Sequence, residues 1–492
     1  MGPDQYRAPD TFGTLGRGQQ ILALIAVVTA LYAAALGGGL IPPVHAALFG
    51  FFVPLAGPAV MALILGLSVG RPWAVMTMLV VVFFGLSLSF RVRELGAVGL
   101  DWQNGVKLGC WALLCVIGLL RWRSLLPVLS LPVPALFVAL GGMALLSATW
   151  SQTPTYTVAS AMGFIAYLAL AAIAVCDLTL DRTISVILWS LFAFVAVSAV
   201  GGVITPEVSW MPPSVEETEY RLQGYSGHPN GLGQITGIFL AFAIIAEKRR
   251  LIGRILFFAL LAFGVGVMIE TSSRTILAAV LFAWLVVSLR RSRFALPILA
   301  SAMILVCGAL LVAGLGMVSD LETFFSGLSR TGSSHEILTL TGRTDIWAVA
   351  VEKIAEKPLF GWGYNGTEAL IANSFGESFY GNPVNAHNTY LQLLLSLGMI
   401  GAAPGFFAMF AGVWLFFVRP DDTRDMIVAL YLLNGMAEAD GFATPVMLLL
   451  LFFWAFMQES WRFKNRNAPK SNLSRPLPTL PRAVFAGRKP AS

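Results

Sequence analysis

Long apolar segments, each close to the length that crosses a bilayer as a helix, recur along most of the chain. A membrane-spanning helix needs roughly 17–25 mostly apolar residues. Of the 492 residues, 57% are hydrophobic and 12% are charged, whereas soluble domains carry roughly 25% charged residues. This pattern excludes a soluble enzyme, a disordered protein and a secreted disulfide scaffold. It predicts an all-α polytopic integral membrane protein.

The sequence gives a range for the number of spans instead of one value, because several apolar runs are short. We expect about 12 transmembrane helices, within a range of roughly 10–14. The candidate segments are 21–41, 48–69, 73–90, 107–120, 132–149, 157–176, 184–204, 231–247, 252–270, 275–289, 294–316, 388–417, 426–437 and 445–460.

Lysine and arginine set the expected orientation, because cytoplasmic loops carry an excess of both. The basic clusters near 121–123, 248–254 and 290–293 all fall on one side of the membrane when the N-terminus is cytoplasmic. The two long polar loops, 205–230 and 317–387, then lie outside. We therefore expect both termini in the cytoplasm. The net charge of +6 indicates a bias toward the cytoplasmic membrane surface, with no nucleic-acid binding.

Three regions result from these expectations. Residues 1–204 form N-terminal transmembrane helices, and 205–460 form a core that includes both outer loops. Residues 461–492 are basic and rich in proline and serine, which predicts a disordered cytoplasmic tail. The four cysteines lie in apolar runs without the spacing of a metal site, so we expect no metal.

Two polar segments belong to the first outer loop and the helices after it. In the segment that runs from Arg221 to Gln234, His228 precedes Asn230, which is expected to cap the next helix. Arg274 lies where two apolar runs meet with almost no turn. An arginine at that depth is costly unless it is paired. Arg274 either reaches lipid phosphate or binds a substrate phosphate through its bidentate fork.

A third segment, from Thr341 to Ile354, predicts an amphipathic helix on the outer surface, with Thr341 as its N-cap. Arg343 lies in its first turn, where it is solvated, paired with Asp345 or available to a phosphate. The expected apolar face consists of Ile346, Trp347, Ala350 and Ile354.

The last two polar segments surround His387 and Glu438. His387 lies at the outer mouth of a long span, as an interfacial residue or as a general base near neutral pH. Gly398 and Gly401 permit close helix packing. The run before Glu438 is too short to span, so Glu438 is either an exposed loop acid or a group that faces a cavity and orients an arginine or histidine.

These motifs resemble a known family. Gly342-Arg343-x-x-x-Trp347, Pro358-Leu-Phe-Gly-Trp-Gly363, His387-Asn388-Thr-Tyr390-Leu and Gly398-x-x-Gly401 are similar to the core signature of the O-antigen ligase and Wzy-type polymerase superfamily. The Arg221–Asn230 loop and Ser273-Arg274 also resemble elements of that superfamily, although Thr275 stands where many members have a small residue. The similarity covers roughly 220–460, and residues before it match only as a helical array.

The resemblance implies a bacterial inner-membrane glycosyltransferase with a C-type-like helical fold and a large periplasmic loop. Its donor would be a glycan on undecaprenyl diphosphate, used at the periplasmic face without a metal, a nucleotide or another cofactor. His387, supported by Glu438, would deprotonate or orient the acceptor hydroxyl. Arg221, Arg274 and Arg343 would bind the diphosphate. Further substrate contacts are expected from His228, Asn230, Trp347, Asn388 and Tyr390.

The acceptor is not visible in the sequence. The leading hypothesis is a polymerase of lipid-linked repeat units, because the segment around Glu438 resembles the closing region of exopolysaccharide polymerases. A ligase that passes the glycan to lipid A–core or a protein shares this chemistry. A transporter or flippase of lipid-linked glycans would need polar residues through the full depth of the bundle, and a structural membrane protein is a fourth alternative. Expected partners are the bilayer, the lipid-linked glycan, its acceptor, and chain-length regulator and flippase proteins.

Overall fold

The computed structural model of the protein describes residues 59–89, 102–213, 220–290, 343–372, 374, 385–439 and 445–466. The expected spans 21–41 and 294–316 lie outside these residues. So do parts of 48–69 and of the loop 317–387, and the tail after 466. What is described is a bundle of helices with one very short β ladder.

The helices form because their sequences are apolar, and because proline or a side-chain cap stands at many of their first turns. The first nine are α1 (Ala59–Ser68), α2 (Pro72–Phe83), α3 (Trp102–Leu120), α4 (Trp122–Leu129), α5 (Pro132–Leu146), α6 (Pro154–Asp177), α7 (Leu180–Ile204), α8 (Pro206–Ser209) and α9 (Pro229–Lys248). The others are α10 (Arg254–Thr271), α11 (Arg274–Leu289), α12 (Arg343–Glu356), α13 (Glu368–Ala372), α14 (Thr389–Val418), α15 (Asp422–Asn434) and α16 (Met447–Arg466).

Seven helices in the described ranges are long and apolar enough to cross a membrane. The number rises to eight if the bent pair of α1 and α2 is one span, and the angle between those two helices is 116°. The segments 48–69 and 73–90 were expected to be two spans. Within the described residues, the end of the first corresponds to α1 and most of the second to α2. The helices confirm an all-α polytopic membrane protein, while the expected number of about 12 spans stays a prediction.

Helices α6 and α9 lie at the centre of the bundle. Of an 18-residue apolar stretch in each, 78% and 83% of the residues are buried. Helix α16 packs against α6, and α9 packs against α7, α10 and α11. The helix α16 continues to Arg466, because Trp461 still packs on the core. The first residues of 461–492, which we expected to be disordered, are therefore helical.

The long helix α14 is interrupted at Gly398, which has φ of 64°. The backbone of 358–363 lies against this break. The amide of Met399 donates to the carbonyl of Pro358, and the amide of Trp362 donates to that of Leu395, at 2.8 and 3.0 Å. A Cβ on Gly398 would lie 2.3 Å from the carbonyl carbon of Leu359. Gly398 thus permits close packing, as the sequence predicted, but it packs against a turn instead of a helix.

Buried ion pairs join the helices at one end of the bundle, which we call the ionic end. Arg290 follows α11 and pairs with Asp422 and Asp425 at the start of α15. Arg424 and Glu459 complete this buried group. The pairing makes α11 and α15 antiparallel. The start of α11 therefore lies at the same end as the turn that follows α15.

Contacts at the opposite end, which we call the polar end, join the expected polar segments. Ser273 Oγ lies 3.3 Å from the carbonyl of Pro229, which ties the start of α11 to the start of α9. The amide of Thr389 donates to the carbonyl of Gly435 at 2.7 Å, which ties the start of α14 to the end of α15. Strands β1 (Trp210–Met211) and β2 (Arg221–Leu222) pair antiparallel there. The sequence did not predict this ladder, which fixes the backbone of Arg221.

Candidate active site

Arg343, Glu438 and His387 come together at the polar end. Arg343 Nη2 donates to Glu438 Oε1 at 2.8 Å, and its Nη1 donates to the carbonyl of Ala437. The other carboxylate oxygen, Oε2, lies 3.3 Å from His387 Nδ1. The side chains are 15%, 23% and 31% exposed, respectively. Segments far apart in sequence therefore build one partly open Arg343–Glu438–His387 cluster.

The charge of this cluster is set by its two hydrogen-bonded partners. Burial raises the pKa of Glu438, but the hydrogen bond from His387 and the positive charge of Arg343 lower it by more. The pKa of the carboxyl consequently lies below its ordinary value. Glu438 is thus an anion at neutral pH. With Nδ1 carrying the hydrogen, His387 donates a hydrogen bond to this carboxylate, and Nε2 is then the ring nitrogen that can take a proton.

The start of α14 holds the turn that carries Glu438. Asn388 is the N-cap of α14, since its Oδ1 accepts from the amides of Tyr390 and Leu391 at 3.0 Å. Its Nδ2 donates to the carbonyl of Met436 at 3.1 Å. Thr389 Oγ1 donates to the carbonyl of Glu438 at 2.8 Å. One helix N-terminus therefore positions both His387 and the glutamate beside it.

Helix α12 presents Arg343 through a small core of its own. Ile346 and Ala350 are buried there, and Ile354 packs against the same group. These three residues confirm the predicted apolar face. Trp347 lies one turn after Arg343, and its Nε1 is buried without a hydrogen-bond partner among the described residues. The predicted cap, Thr341, lies outside the described residues.

A second group, which we call the Arg221 cluster, consists of Arg221, Asn230, Thr271 and Ser273. Arg221 is 2% exposed. Its Nε donates to the carbonyl of Thr271 at 3.1 Å, and its Nη2 donates to Asn230 Oδ1 at 2.7 Å. The guanidinium thereby ties β2 to the end of α10 and the start of α9.

Arg274 differs from Arg221 in its exposure. It begins α11 after Ser272, which has a left-handed φ of 50° and ends α10. The Arg274 side chain is exposed at the polar end. The tight turn predicted from the sequence is therefore present. It places a guanidinium at a helix N-terminus, where the helix dipole already favours an anion.

Several residues that were predicted to contact the substrate make hydrogen bonds within the protein. The expectation that Asn230 caps α9 is wrong: His228 is the N-cap, and its Nδ1 accepts from the amide of Asn230 at 3.1 Å. The helix begins two residues earlier because Pro229 suits its first position. Asn388 caps α14, and Tyr390 Oη donates to the carbonyl of Leu432 at 2.7 Å. Arg343 pairs with Glu438, while Asp345 is exposed.

Sequence reasoning assigned no role to Thr389 or Gln392. Thr389 supports Glu438, and Gln392 is fully buried with hydrogen bonds at both ends of its amide. A polar residue one turn inside an apolar helix is the signal that could have identified Gln392, because a buried amide needs partners.

The arrangement places an imidazole against a carboxylate that also accepts from a guanidinium. Within the described ranges, His, Cys, Asp and Glu form no group of three or more that could hold a metal ion. An imidazole oriented by a carboxylate activates a hydroxyl. Arginines stabilise the charge on a phosphate leaving group. The polar end can therefore support transfer from a phosphate-activated donor to a hydroxyl.

Residues 257–404 match a family model described as O-antigen ligase. The matched segment contains Arg274, Arg343 and His387. A curated O-antigen ligase from Pseudomonas aeruginosa is 27% identical over 291 residues, which cover 58% of this chain and 64% of that protein. A protein from Rickettsia bellii named "Putative polysaccharide ligase" is 33% identical over 105 residues, or 19% of this chain and 26% of its own length.

These similarities confirm the resemblance to the O-antigen ligase and Wzy-type superfamily. With the apolar helices, they support an integral membrane protein that is similar to O-antigen ligases. The matched part of this chain spans less than two thirds of either relative's length.

Proposed function

We propose that this protein is a glycosyltransferase that moves a glycan from undecaprenyl diphosphate to a hydroxyl of lipid A–core. The observation that carries the proposal is the Arg343–Glu438–His387 cluster, in which one carboxylate contacts both a guanidinium and an imidazole at the polar end of the bundle. The names of both relatives support a ligase. We place the site on the periplasmic face of a bacterial inner membrane, with both termini in the cytoplasm.

In the proposed reaction, His387 Nε2 takes the proton of the acceptor hydroxyl while its oxygen attacks the anomeric carbon of the donor sugar. The bond from that carbon to the diphosphate oxygen breaks, and undecaprenyl diphosphate leaves with the electron pair. Direct attack inverts the anomeric centre. Glu438 keeps the proton on Nδ1 and stabilises the imidazolium that forms. No metal or nucleotide takes part in this scheme.

The three arginines receive different tasks. We assign Arg274 to the diphosphate, because it is exposed beside a helix N-terminus. Arg343 holds the carboxylate that orients the base, and we assign its positive charge to the negatively charged donor as well. Arg221 is buried with hydrogen bonds to Thr271 and Asn230, so we assign it to the shape of the site. Trp347 remains a proposed sugar contact.

A polymerase of lipid-linked repeat units is the second candidate. It is favoured by the segment around Glu438, which resembles that of exopolysaccharide polymerases. The two activities share a donor and differ in the acceptor, which is lipid A–core in one case and a second lipid-linked glycan in the other. We propose that residues 205–460 form the catalytic core for either acceptor.

The test uses purified protein with a glycan linked to undecaprenyl diphosphate, in the presence of EDTA. Released undecaprenyl diphosphate and glycan length are followed with and without lipid A–core, for the wild type and His387→Ala. We expect release that requires lipid A–core, gives no ladder, and falls about 10²–10⁴-fold in the variant.

Other outcomes separate the alternatives. A ladder of lengthening glycans without lipid A–core would replace the ligase by the polymerase. Release that EDTA abolishes would contradict the metal-free scheme. Movement of the lipid-linked glycan across vesicles, without release of undecaprenyl diphosphate, would favour the flippase and overturn both enzyme proposals.

A further inference from the structure

Gln392 lies one turn inside α14 and reaches back to the backbone that precedes His387. Its side chain is fully buried, at 0% exposure. The Oε1 atom accepts from the amide of Ala386 at 2.9 Å. The Nε2 atom donates to Thr367 Oγ1 at 2.9 Å and to Ser396 Oγ at 3.2 Å. The amide therefore bridges the 363–367 loop, the helix and the segment that carries His387.

This amide is not needed to fill space. Its neighbours in α14 include Leu393 and Leu395, which are also fully buried. An apolar side chain of similar size would fill the position without polar partners. A buried amide without partners destabilises a protein. Its presence is therefore best explained by the bond that it makes to Ala386.

The backbone held by this bond has an uncommon conformation. His387 has φ of 42°, in the left-handed region. Such a conformation is unfavourable for a residue other than glycine and persists where its surroundings fix it. The amide of His387 donates to Asn385 Oδ1 at 2.8 Å, and the amide of Ala386 donates to Gln392. Asn388 caps the helix directly afterwards. Hydrogen bonds thus fix the backbone on both sides of the imidazole.

We propose that Gln392 is a positioning residue for His387. With Thr367, it holds Ala386 so that the imidazole turns Nδ1 toward Glu438 and leaves Nε2 for the acceptor hydroxyl. This inference rests on the proposed function in one respect only, namely that His387 is the base. The inference also states that Gln392 holds the backbone at Ala386, and this can be measured without turnover.

The test compares Gln392→Met, which keeps the length of the side chain and removes both hydrogen-bonding groups, with Gln392→Glu, which keeps an acceptor for Ala386. Ser396→Ala is the matched control, because it removes one partner of Gln392 without touching Ala386. We expect kcat to fall about 10–100-fold in Gln392→Met, with a smaller change in KM. Gln392→Glu should recover most of that loss, and Ser396→Ala should stay close to the wild type.

Hydrogen exchange gives the readout that is independent of activity. In Gln392→Met, the amides of 385–388 should exchange at least about tenfold faster, while the peptides of α6 stay unchanged. A variant that merely loosens the fold would speed exchange in α6 as well and lower kcat only through the folded fraction. Such a result would overturn the proposal, as would unchanged exchange at 385–388, or faster exchange with normal kcat.

The two proposals fail in different ways. A wild type that turns over neither acceptor would overturn the proposed function. The exchange rate at 385–388 would still decide whether Gln392 holds this backbone.

Discussion

The ionic end and the polar end of the bundle both contain arginines paired with carboxylates, but they differ in burial. At the ionic end, Arg424 and Asp425 are 0% and 1% exposed, and Arg290 is 5% exposed. At the polar end, the Arg343–Glu438–His387 cluster is 15–31% exposed. Apart from Asp422, which lies at the rim and is 35% exposed, the ion pairs of the ionic end are therefore buried between helices, whereas those of the polar end are accessible.

This difference separates two uses of charge. A buried arginine–carboxylate group is desolvated already, so its partners are fixed and it holds helices in register. A partly open group can exchange water for a ligand. At the polar end it also includes a histidine, the side chain that most often serves as a general acid or base. We infer that the ionic end maintains the bundle and that the polar end carries the chemistry.

The largest expected effect is on turnover in Glu438→Gln. The substitution keeps the size of the side chain and removes the negative charge that orients His387. Loss of a carboxylate behind a catalytic histidine costs up to about 10⁴-fold in kcat. The midpoint of thermal unfolding in detergent should change little, because the site is partly open. If Glu438→Gln stays active but becomes less stable, the polar end serves to maintain the bundle, which is the role that we assign to the ionic end.

The next largest effect is on stability in Asp425→Asn. Removing one charge from a buried ion pair costs about 3–5 kcal/mol, because the remaining charge is left without compensation. We expect a clear drop in the thermal unfolding midpoint and near-normal turnover per folded molecule. Asp345→Asn is the surface control and should leave both unchanged. Unaltered stability in Asp425→Asn would remove the distinction between the two ends.

Most of the fold could be predicted from the sequence where the signal is local. The apolar runs at 157–176 and 231–247 became α6 and α9 almost unchanged, because a long apolar run has few alternatives to a buried helix. The break of α14 at Gly398 was harder to foresee. It depends on backbone contacts with Leu359, about forty residues away in the sequence, and no local pattern encodes that contact.

The candidate site shows the same limit. Arg343, His387 and Glu438 were selected from their motifs and an expected common face, and the structure brings the three together. Their roles stay predictions. Asn388 and Tyr390 belong to the same motif as His387. Asn388 nevertheless caps α14, and the hydroxyl of Tyr390 donates to the backbone of α15. A motif marks residues that must be kept. It does not distinguish those that contact a substrate from those that hold the contacting residue.

The smallest of these effects is expected for Arg274, which offers a matched pair across the bundle. Arg274 begins α11 at the polar end, and Arg254 begins α10 at the ionic end, where its side chain is 87% exposed. Loss of one donor to a leaving group costs roughly 10²–10³-fold in kcat. We expect that loss in Arg274→Ala, a partial loss in Arg274→Lys because a point charge replaces the fork, and no change in Arg254→Ala. Arg221→Ala should lower stability as well as turnover, since Arg221 is buried. If Arg274→Ala keeps full activity while Arg221→Lys abolishes it without loss of stability, the diphosphate contacts the buried arginine, and the accessible charge at the polar end is not what recognises the donor.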